Sequence, residues 1–329
     1  MPASVLRLIQ LGDENTWGTD TKATVRIMGV TDASFSQADE VESTGDLGNP
    51  MPSVAAVLKK TSGEGSITQR CNYQDIVYWL QGAFGVVSAS AAANTTYAWK
   101  YAAPAATAAV TPEFYTIEYG EPTGAAYQLE GALVSEVRLS GSVDNGMWQA
   151  EVSFIGETIA AEAMTTGLSN RTVDVCRFAD TDLYIDAWGG TLGSTPVAAS
   201  LISAELRFSP GRHLKHFAGS VTPVAYGDSR WEGEMTLMLE FNSTVKAYVD
   251  ALLTPAVVQK QIRLKTKQGA GATIRTMQID FAGTLVDGVK LFEDRDGNIT
   301  ISLKFNGTYH STMATWLKFY VRNELGTMP

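Results

Sequence analysis

Leu133-Val134-Ser135-Glu136-Val137-Arg138-Leu139 and Leu285-Val286-Asp287-Gly288-Val289-Lys290-Leu291 repeat the same apolar positions and the same basic position at an offset of 152 residues. Other matches lie on either side of this pair. Trp17-Gly18 returns as Trp188-Gly189, and Ala33-Ser34-Phe35 as Ala204-Glu205-Leu206, at an offset of 171. Glu64-Gly65, Tyr73 and Val77 return as Glu232-Gly233, Phe241 and Val245 at 168, and Gly146, Phe154 and Gly156 as Gly297, Phe305 and Gly307 at 151. Offsets that only fall, in one order along both copies, are the mark of a duplication followed by loop loss. The drop from 168 to 152 falls on the Ala-rich stretch Ser88–Val110, which the second copy lacks. The expected organisation is therefore two domains, 1–175 and 176–329, each a copy of one unit.

Each copy reads as strands with one helix. Ile117, Leu129, Leu133 and Val137 in the first, and Ile262, Leu264, Ile274 and Ile279 in the second, lie in short alternating runs broken by Gly and Asp/Asn, which is the pattern of strands and turns. Asp144-Asn145-Gly146 and Asp294-Arg295-Asp296-Gly297-Asn298 read as hairpin turns, Gly supplying the positive φ. Tyr73, Ile76, Val77, Leu80 and Phe84 are spaced for one helical face, with Asn72 and Asp75 at the start and Gly85 as the stop. Val245, Tyr248, Val249 and Leu252 repeat that face, with Ser243 as the cap and Pro255 beyond the end. A mainly β fold follows: two tandem β-sandwiches, each with one short helix.

Composition narrows the function. A hydrophobic content of 45% in 329 residues fills a real core. Residues 1–12 lack the apolar run of a signal peptide, and no stretch approaches the ~20 apolar residues of a membrane span. Cys71 and Cys176 are too few for a disulfide framework, so a reducing compartment and a pair of buried thiols are expected. The net charge of −10 is uneven: residues 1–165 carry 8 basic and 19 acidic side chains, residues 166–329 carry 17 and 16. Nucleic-acid affinity comes chiefly from Lys and Arg, so DNA near such a chain is expected to pass and not to bind.

Candidate chemistry is sparse. Asp294–Asn298 resembles the opening of a calcium loop, but the twelfth position is Phe305 where a carboxylate is required, and a plain turn is expected. His213 and His216 flank Lys215 in a Gly- and Pro-bounded loop, and His310 stands alone; surface loop positions are expected for them rather than zinc. Gly269-Ala270-Gly271 lacks the Lys-Ser/Thr of a phosphate loop and reads as a hairpin. No nucleophile elbow is present, and no catalytic residue, metal or cofactor is expected. Trp99, Trp148 and Trp231 suit packing better than a sugar platform. Charge is more informative. Arg263, Lys265 and Lys267 alternate with Ile262, Leu264 and Thr266, whereas the equivalent stretch of the first copy carries Glu118 and Glu121. A solvated face is the ordinary reading of such strands; the hypothesis set beside it is that acidic first domains and basic second domains alternate around a ring, their charges setting order and register.

The chain also resembles the tail tube proteins of long-tailed bacteriophages, in the branch with two tube-like domains. The resemblance rests on Glu14-Asn15-Thr16-Trp17-Gly18-Thr19, the long polar segment Ser36–Lys60, and Gly65-Ser66-Ile67 leading into the helix that ends at Leu80–Gly85. Pro112-Glu113-Phe114-Tyr115-Thr116-Ile117-Glu118 and the closing strand Trp316–Arg322 extend it to nearly the whole chain. It implies a β-sandwich whose inner sheet joins its neighbours' around a lumen, and a long loop that reaches the next ring. Ser36–Lys60 is then the stacking loop, with Asp39, Glu40, Glu42, Asp46, Lys59 and Lys60, and Arg207–Trp231 is its counterpart, with Arg212 and Lys215. Such tubes present six domains per ring, so three two-domain chains are expected to close one. About 24 tilted strands at ~4.8 Å spacing enclose a barrel some 45–50 Å across, enough for a duplex. The implied partners are the chain itself, the tape-measure protein and passing double-stranded DNA in the lumen, and the tail terminator and distal tail proteins, with no membrane. The implied location is the virion tail, assembled in the host bacterial cytoplasm. The second copy lacks a version of Pro112–Glu118, which leaves a modified sheet or an outward position open for it. The other reading of such a sandwich is a carbohydrate-binding or adhesin module.

Overall fold

The strict alternation of Trp148-Gln149-Ala150-Glu151-Val152-Ser153-Phe154 turns one face of a strand inward and the other outward, and this pattern recurs through the fold. The computed structural model describes residues 7–45, 47–53, 55–93, 96–104, 110–122, 124–198, 200–252, 257–270, 274–286, 293–295 and 297–328. Among the described residues twenty strands and two α-helices follow in chain order: β1 Leu8–Glu14, β2 Val25–Arg26, β3 Val30–Thr44, β4 Ala55–Arg70, α1 Ile76–Phe84, β5 Ser90–Ala93, β6 Thr96–Ala102, β7 Phe114–Gly120, β8 Ala126–Ser142, β9 Trp148–Gly156 and β10 Thr158–Ala160. After a 3-10 turn at Phe178–Asp180 come β11 Thr181–Ala187, β12 Leu201–Ser209, β13 Arg212–Lys215, β14 Ala225–Asp228, β15 Glu232–Glu240, α2 Ser243–Leu252, β16 Gln259–Gln268, β17 Arg275–Leu285, β18 Glu293–Arg295, β19 Asn298–Gly307 and β20 Leu317–Asn323.

One antiparallel sheet crosses the whole chain. Its order is β3, β4, β9, β8, β12, β15, β19, with β18 and the end of β17 beside β19. The joint between β8 and β12 unites strands from either half, Val137 opposite Phe208 and Leu139 opposite Leu206. Two further sheets cover its apolar face. Strands β2, β1, β7, β8 and β10 form one, and β11, β16, β17, β20, β6 and β5 the other. The long strand β8 serves both layers. It turns at Gly131, whose φ of +61 and close approach to the Trp17 indole exclude a side chain. The fold is thus a β-sandwich, as the alternation predicts.

Some of the repeated positions fall on strands with matching neighbours. Ala33 and Ala204 lie on β3 and β12, each paired with the strand that carries Gly65 or Gly233, and Phe154 and Phe305 lie next along on β9 and β19. Val289 and Lys290 of the quoted repeat, Asp296, Gly271 and Pro255 lie outside the described residues. Strand β6 crosses the 175/176 boundary: although it precedes β7, it pairs with β20, Trp99 opposite Val321 and Tyr101 opposite Phe319. The Ala-rich stretch thereby contributes an edge hairpin to the outer sheet of the second half.

Helix α1 is buried on every side, not on one face alone. Its carbonyls receive side chains from three directions: Tyr115 Oη donates to Tyr78 O at 2.7 Å, Tyr101 Oη to Val77 O at 3.2 Å, and Arg212 to Gly82 O and Ala83 O. Phe84 lies 5.1–6.0 Å from the rings of Tyr101, Phe208, Trp231 and Phe319, so the core is shared by both halves. At the helix start Asn72 Oδ1 accepts from Gln74 N and Asp75 N, while the Asp75 carboxylate turns away to Met28 N and Arg171. Gly85 ends the helix at φ +90. In α2 the cap is Asn242, whose Oδ1 accepts from Val245 N at 3.0 Å, and not Ser243, because the helix begins one residue earlier than its apolar spacing suggests.

Candidate functional site: sheet face, borders and arm

The inward face of the long sheet carries Val137, Leu139, Val152, Phe154, Leu206, Phe208, Leu237 and Phe305, all buried. By the same alternation its other face is polar. Asp32, Glu64, Glu136, Glu151, Glu205, Glu232, Glu234 and Glu240 share it with Arg70, Arg138, Arg207 and Lys304. Carboxylates outnumber bases there. Ion pairs cross the β8–β12 joint in both directions, Arg138 to Glu205 at 2.8 Å and Arg207 to Glu136 at 2.7 Å. Lys304 meets Glu234 at 2.9 Å across the β15–β19 joint. At one border of this sheet stands β3, which among the described residues pairs with β4 alone. A long strand with an unpaired rim is a template for another strand.

Beyond Thr61 the β3–β4 hairpin leaves the body as an arm. Every described residue from Asp39 to Lys60 is exposed, and Glu40–Thr44 alone extend about 17 Å at ~3.4 Å per residue. Its root is anchored: Thr61 N donates to Val221 O at 2.9 Å, Gln37 Nε2 to Thr61 Oγ1 at 2.6 Å, and Thr61 Oγ1 to Asp39. Along the shaft Lys60 pairs with Glu40 at 2.8 Å and Lys59 with Glu42 at 2.7 Å. Val41, Leu47, Met51, Val57 and Leu58 are nonetheless open to solvent, Leu47 completely. Asp46 lies outside the described residues.

The counterpart loop behaves differently. Strands β13 and β14 form a small separate hairpin, Arg212 opposite Asp228 and Lys215 opposite Ala225. Lys215 is exposed, but Arg212 is buried under α1 and is not available at a loop surface. Burial lowers its guanidinium to about 10, opposed by Asp228 at 3.9 Å. The Gly- and Pro-bounded context that marks a surface loop conceals this long-range docking.

The oppositely charged strands are not brought together. Both are internal to their sheets: β7 lies between β1 and β8, and β16 between β11 and β17. Glu118 is buried and accepts from Ala23 N, Thr165 N and Thr165 Oγ1. Glu121 sits at the turn after β7, its carboxylate folded toward Gly124. Arg263 forms a two-pronged pair with Asp280 at 2.6 and 2.8 Å, and Lys267 meets Asp182 at 2.9 Å. Lys265 stands between them in a shallow groove with Tyr320 and Arg322, its charge disfavoured first by burial and then by Lys267 and Arg263.

Elsewhere the candidate chemistry resolves into structure. Asp294 Oδ1 accepts from Gly297 N at 3.1 Å within the β18–β19 turn, and Arg295 pairs with Asp144 of the β8–β9 turn. His310 is buried and not on a surface loop: its ring contacts Trp188 O, accepts from Met313 N at 3.2 Å, and lies 4.6 Å from the Trp188 ring. Trp99 and Trp148 are buried, their indole N–H groups donating to Asn323 and Leu325 O, and to Thr181. Among the described residues, no group of three or more His, Cys, Asp or Glu is arranged to hold a metal ion, and no helix is long and apolar enough to cross a membrane.

Two carboxyl groups near the start of β7 are held against their ordinary ionisation. Burial raises Asp13 to about 6, and burial together with the Asp13 charge raises Glu113 to about 7. The folded chain therefore binds a proton at Glu113 more tightly than the unfolded chain does. This side chain's contribution to stability falls as pH rises from about 4.5 to about 7, and its penalty is complete above that. Glu113→Gln is expected to melt above the parent at pH 8, the gap closing below about pH 4.5. Scanning calorimetry across that range checks it; equal melting at pH 8 would contradict the assignment.

A β-sandwich whose main sheet runs through the chain to an unpaired rim, beside a projecting arm with an apolar tip, defines a structural subunit shaped for assembly. The chain belongs to the phage tail tube protein family, whose pattern it matches over residues 5–307. It is accordingly a structural component of the virion tail that self-assembles into a tube. Comparison with curated proteins gives no match.

Proposed function

We propose that three chains close into one pseudo-sixfold ring, that the polar face of the long sheet lines its lumen, and that the stacked rings form the conduit for DNA ejection. The observation that carries this reading is the β8–β12 joint. Within one chain it joins two four-stranded arrays edge to edge, which is the joint a ring must make between chains, from β3 to the β17–β18 side of a neighbour. Three copies of such a sheet supply the ~24 strands of the expected barrel. The excess of carboxylates on the polar face suits a passage for DNA, since like charge keeps phosphates from sticking. The duplicated halves, 1–175 and 176–329, would then both occupy tube positions. The exposed arm would reach the next ring, and the ends of the tube would meet the tape-measure, terminator and distal tail proteins.

The test is electron microscopy of the purified chain with image averaging. Tubes whose rings contain three copies are expected. Rings of six copies would overturn the stoichiometry, and a protein that remains monomeric at every concentration tried would overturn the assembly proposal.

A further inference from the structure

After β4 the chain passes through Cys71 and runs antiparallel to the segment that links the two halves. Asn72 bridges Val175, Cys176 N donates to Cys71 O at 2.9 Å, and Tyr73 N donates to Asp174 O at 3.0 Å. In an antiparallel ladder a bridge between residues 72 and 175 sets residue 71 directly opposite 176, with both side chains on one face. Residues directly opposite each other in such a ladder stand about 4.5–5.5 Å apart at Cα, inside the span that a disulfide bridges. Trp148 fixes the frame from the other side: Cys71 N donates to its carbonyl and its N–H donates to Cys176 O, both at 2.9 Å. The thiols are fully buried and unbridged, and Cys71 Sγ lies 3.8 Å from Met277 Sδ. The proposed sheet face, border and arm use neither of them.

We propose that Cys71 and Cys176 are a latent intramolecular disulfide, reduced while the chain folds and closed by a peroxide or a small disulfide once the particle is in oxidising surroundings. With hydrogen peroxide, one cysteine sulfur takes an oxygen to become a sulfenic acid and releases water. The second sulfur then displaces that hydroxyl, forming the S–S bond and a second water. The two thiols lose two protons and two electrons, and the peroxide is reduced to water. With oxidised glutathione the same electrons yield two molecules of reduced glutathione. Burial pushes the Cys176 thiol up, with Cys71 adding to the shift, so closure is slow and waits on local opening. The bond would close a loop of roughly a hundred residues, a length at which a cross-link restricts the unfolded chain strongly. It would tie the end of β4 away from the arm to the segment joining the halves.

The experiment uses the full chain, incubated for hours with hydrogen peroxide or oxidised glutathione, then denatured and treated with iodoacetamide. The expected product is about 2 Da lighter, takes no alkylation, and yields one peptide pair joining Cys71 to Cys176 within a chain. Its Tm is expected to be about 5 °C above that of the reduced protein and to fall back with a phosphine reductant, while Cys176→Ser shows no such change. Two alkylated cysteines after oxidation, sulfinic or sulfonic products, or a cross-link between chains would each overturn the proposal. The mass measurement on the unaltered protein decides it even if the serine variant fails to fold.

Discussion

Replacing Val41–Lys59 by Asn-Gly is expected to abolish tube formation while leaving the Tm of the isolated chain within about 2 °C of the parent. The cut returns the hairpin to Glu40 opposite Lys60, a register the arm already has, and Asn-Gly is the preferred pair for a two-residue turn. The body loses almost nothing. The described residues removed are exposed, and the lost Lys59 pairs with Glu40 and Glu42 are surface contacts worth ~0–1 kcal/mol each. Assembly loses a great deal. Burying a Val, Leu or Met side chain contributes about 1.5–3 kcal/mol, and Val41, Leu47, Met51, Val57 and Leu58 are all open in the single chain. In the proposed assembly several such burials, repeated around a ring, would make the stacking contact, so their removal is expected to leave soluble rings or single chains. Sedimentation velocity and electron microscopy read the outcome together with the melting curve. Normal tubes from the truncated chain would show that the arm does not stack rings.

The same arm illustrates what the sequence discloses unaided. Ser36–Lys60 is too long and too polar for a buried connection, and it forms a projecting hairpin because alternating polar residues pair in register without a core beneath them. Helix α1 is legible from Ile76, Val77, Leu80 and Phe84, but its complete burial is not. The side chains that cover it, Tyr101, Phe208 and Arg212, arrive from strands whose positions only the fold determines. Strand β6 carries its own signal in Thr96-Tyr97-Ala98-Trp99-Lys100-Tyr101, an alternation lying inside an Ala-rich stretch. Its partner β20 begins more than two hundred residues later, and no local pattern encodes that pairing. Charge misleads in a similar way. Arg263 and Lys267 read as a free basic face, yet Asp280 and Asp182 on neighbouring strands neutralise them. Periodicity reports which face of an element is covered; it does not report by what.

Arg212 is where that gap matters most for stability, and Arg212→Met is expected to lower the Tm by about 3–6 °C, equivalent to ~2–4 kcal/mol. The last carbonyls of a helix have no partners within it, and the helix dipole places partial negative charge there. In this chain the guanidinium supplies both needs at once. It donates to Gly82 O and to Ala83 O at 2.7 Å at the end of α1, and to Val134 O at 3.2 Å on β8. Desolvation opposes the arrangement, as its lowered pKa records, and methionine would relieve that cost while keeping most of the volume. It would also leave three buried carbonyls without this donor, and orphaned polar groups cost about 1–3 kcal/mol each. The orphan term is the larger, so the net change is a loss. Arg212→Lys is expected to fall between parent and methionine variant, because an ammonium cannot span all three oxygens as the planar fork does. A methionine variant that melts within 1 °C of the parent would mean that β13 does not hold α1 through this side chain.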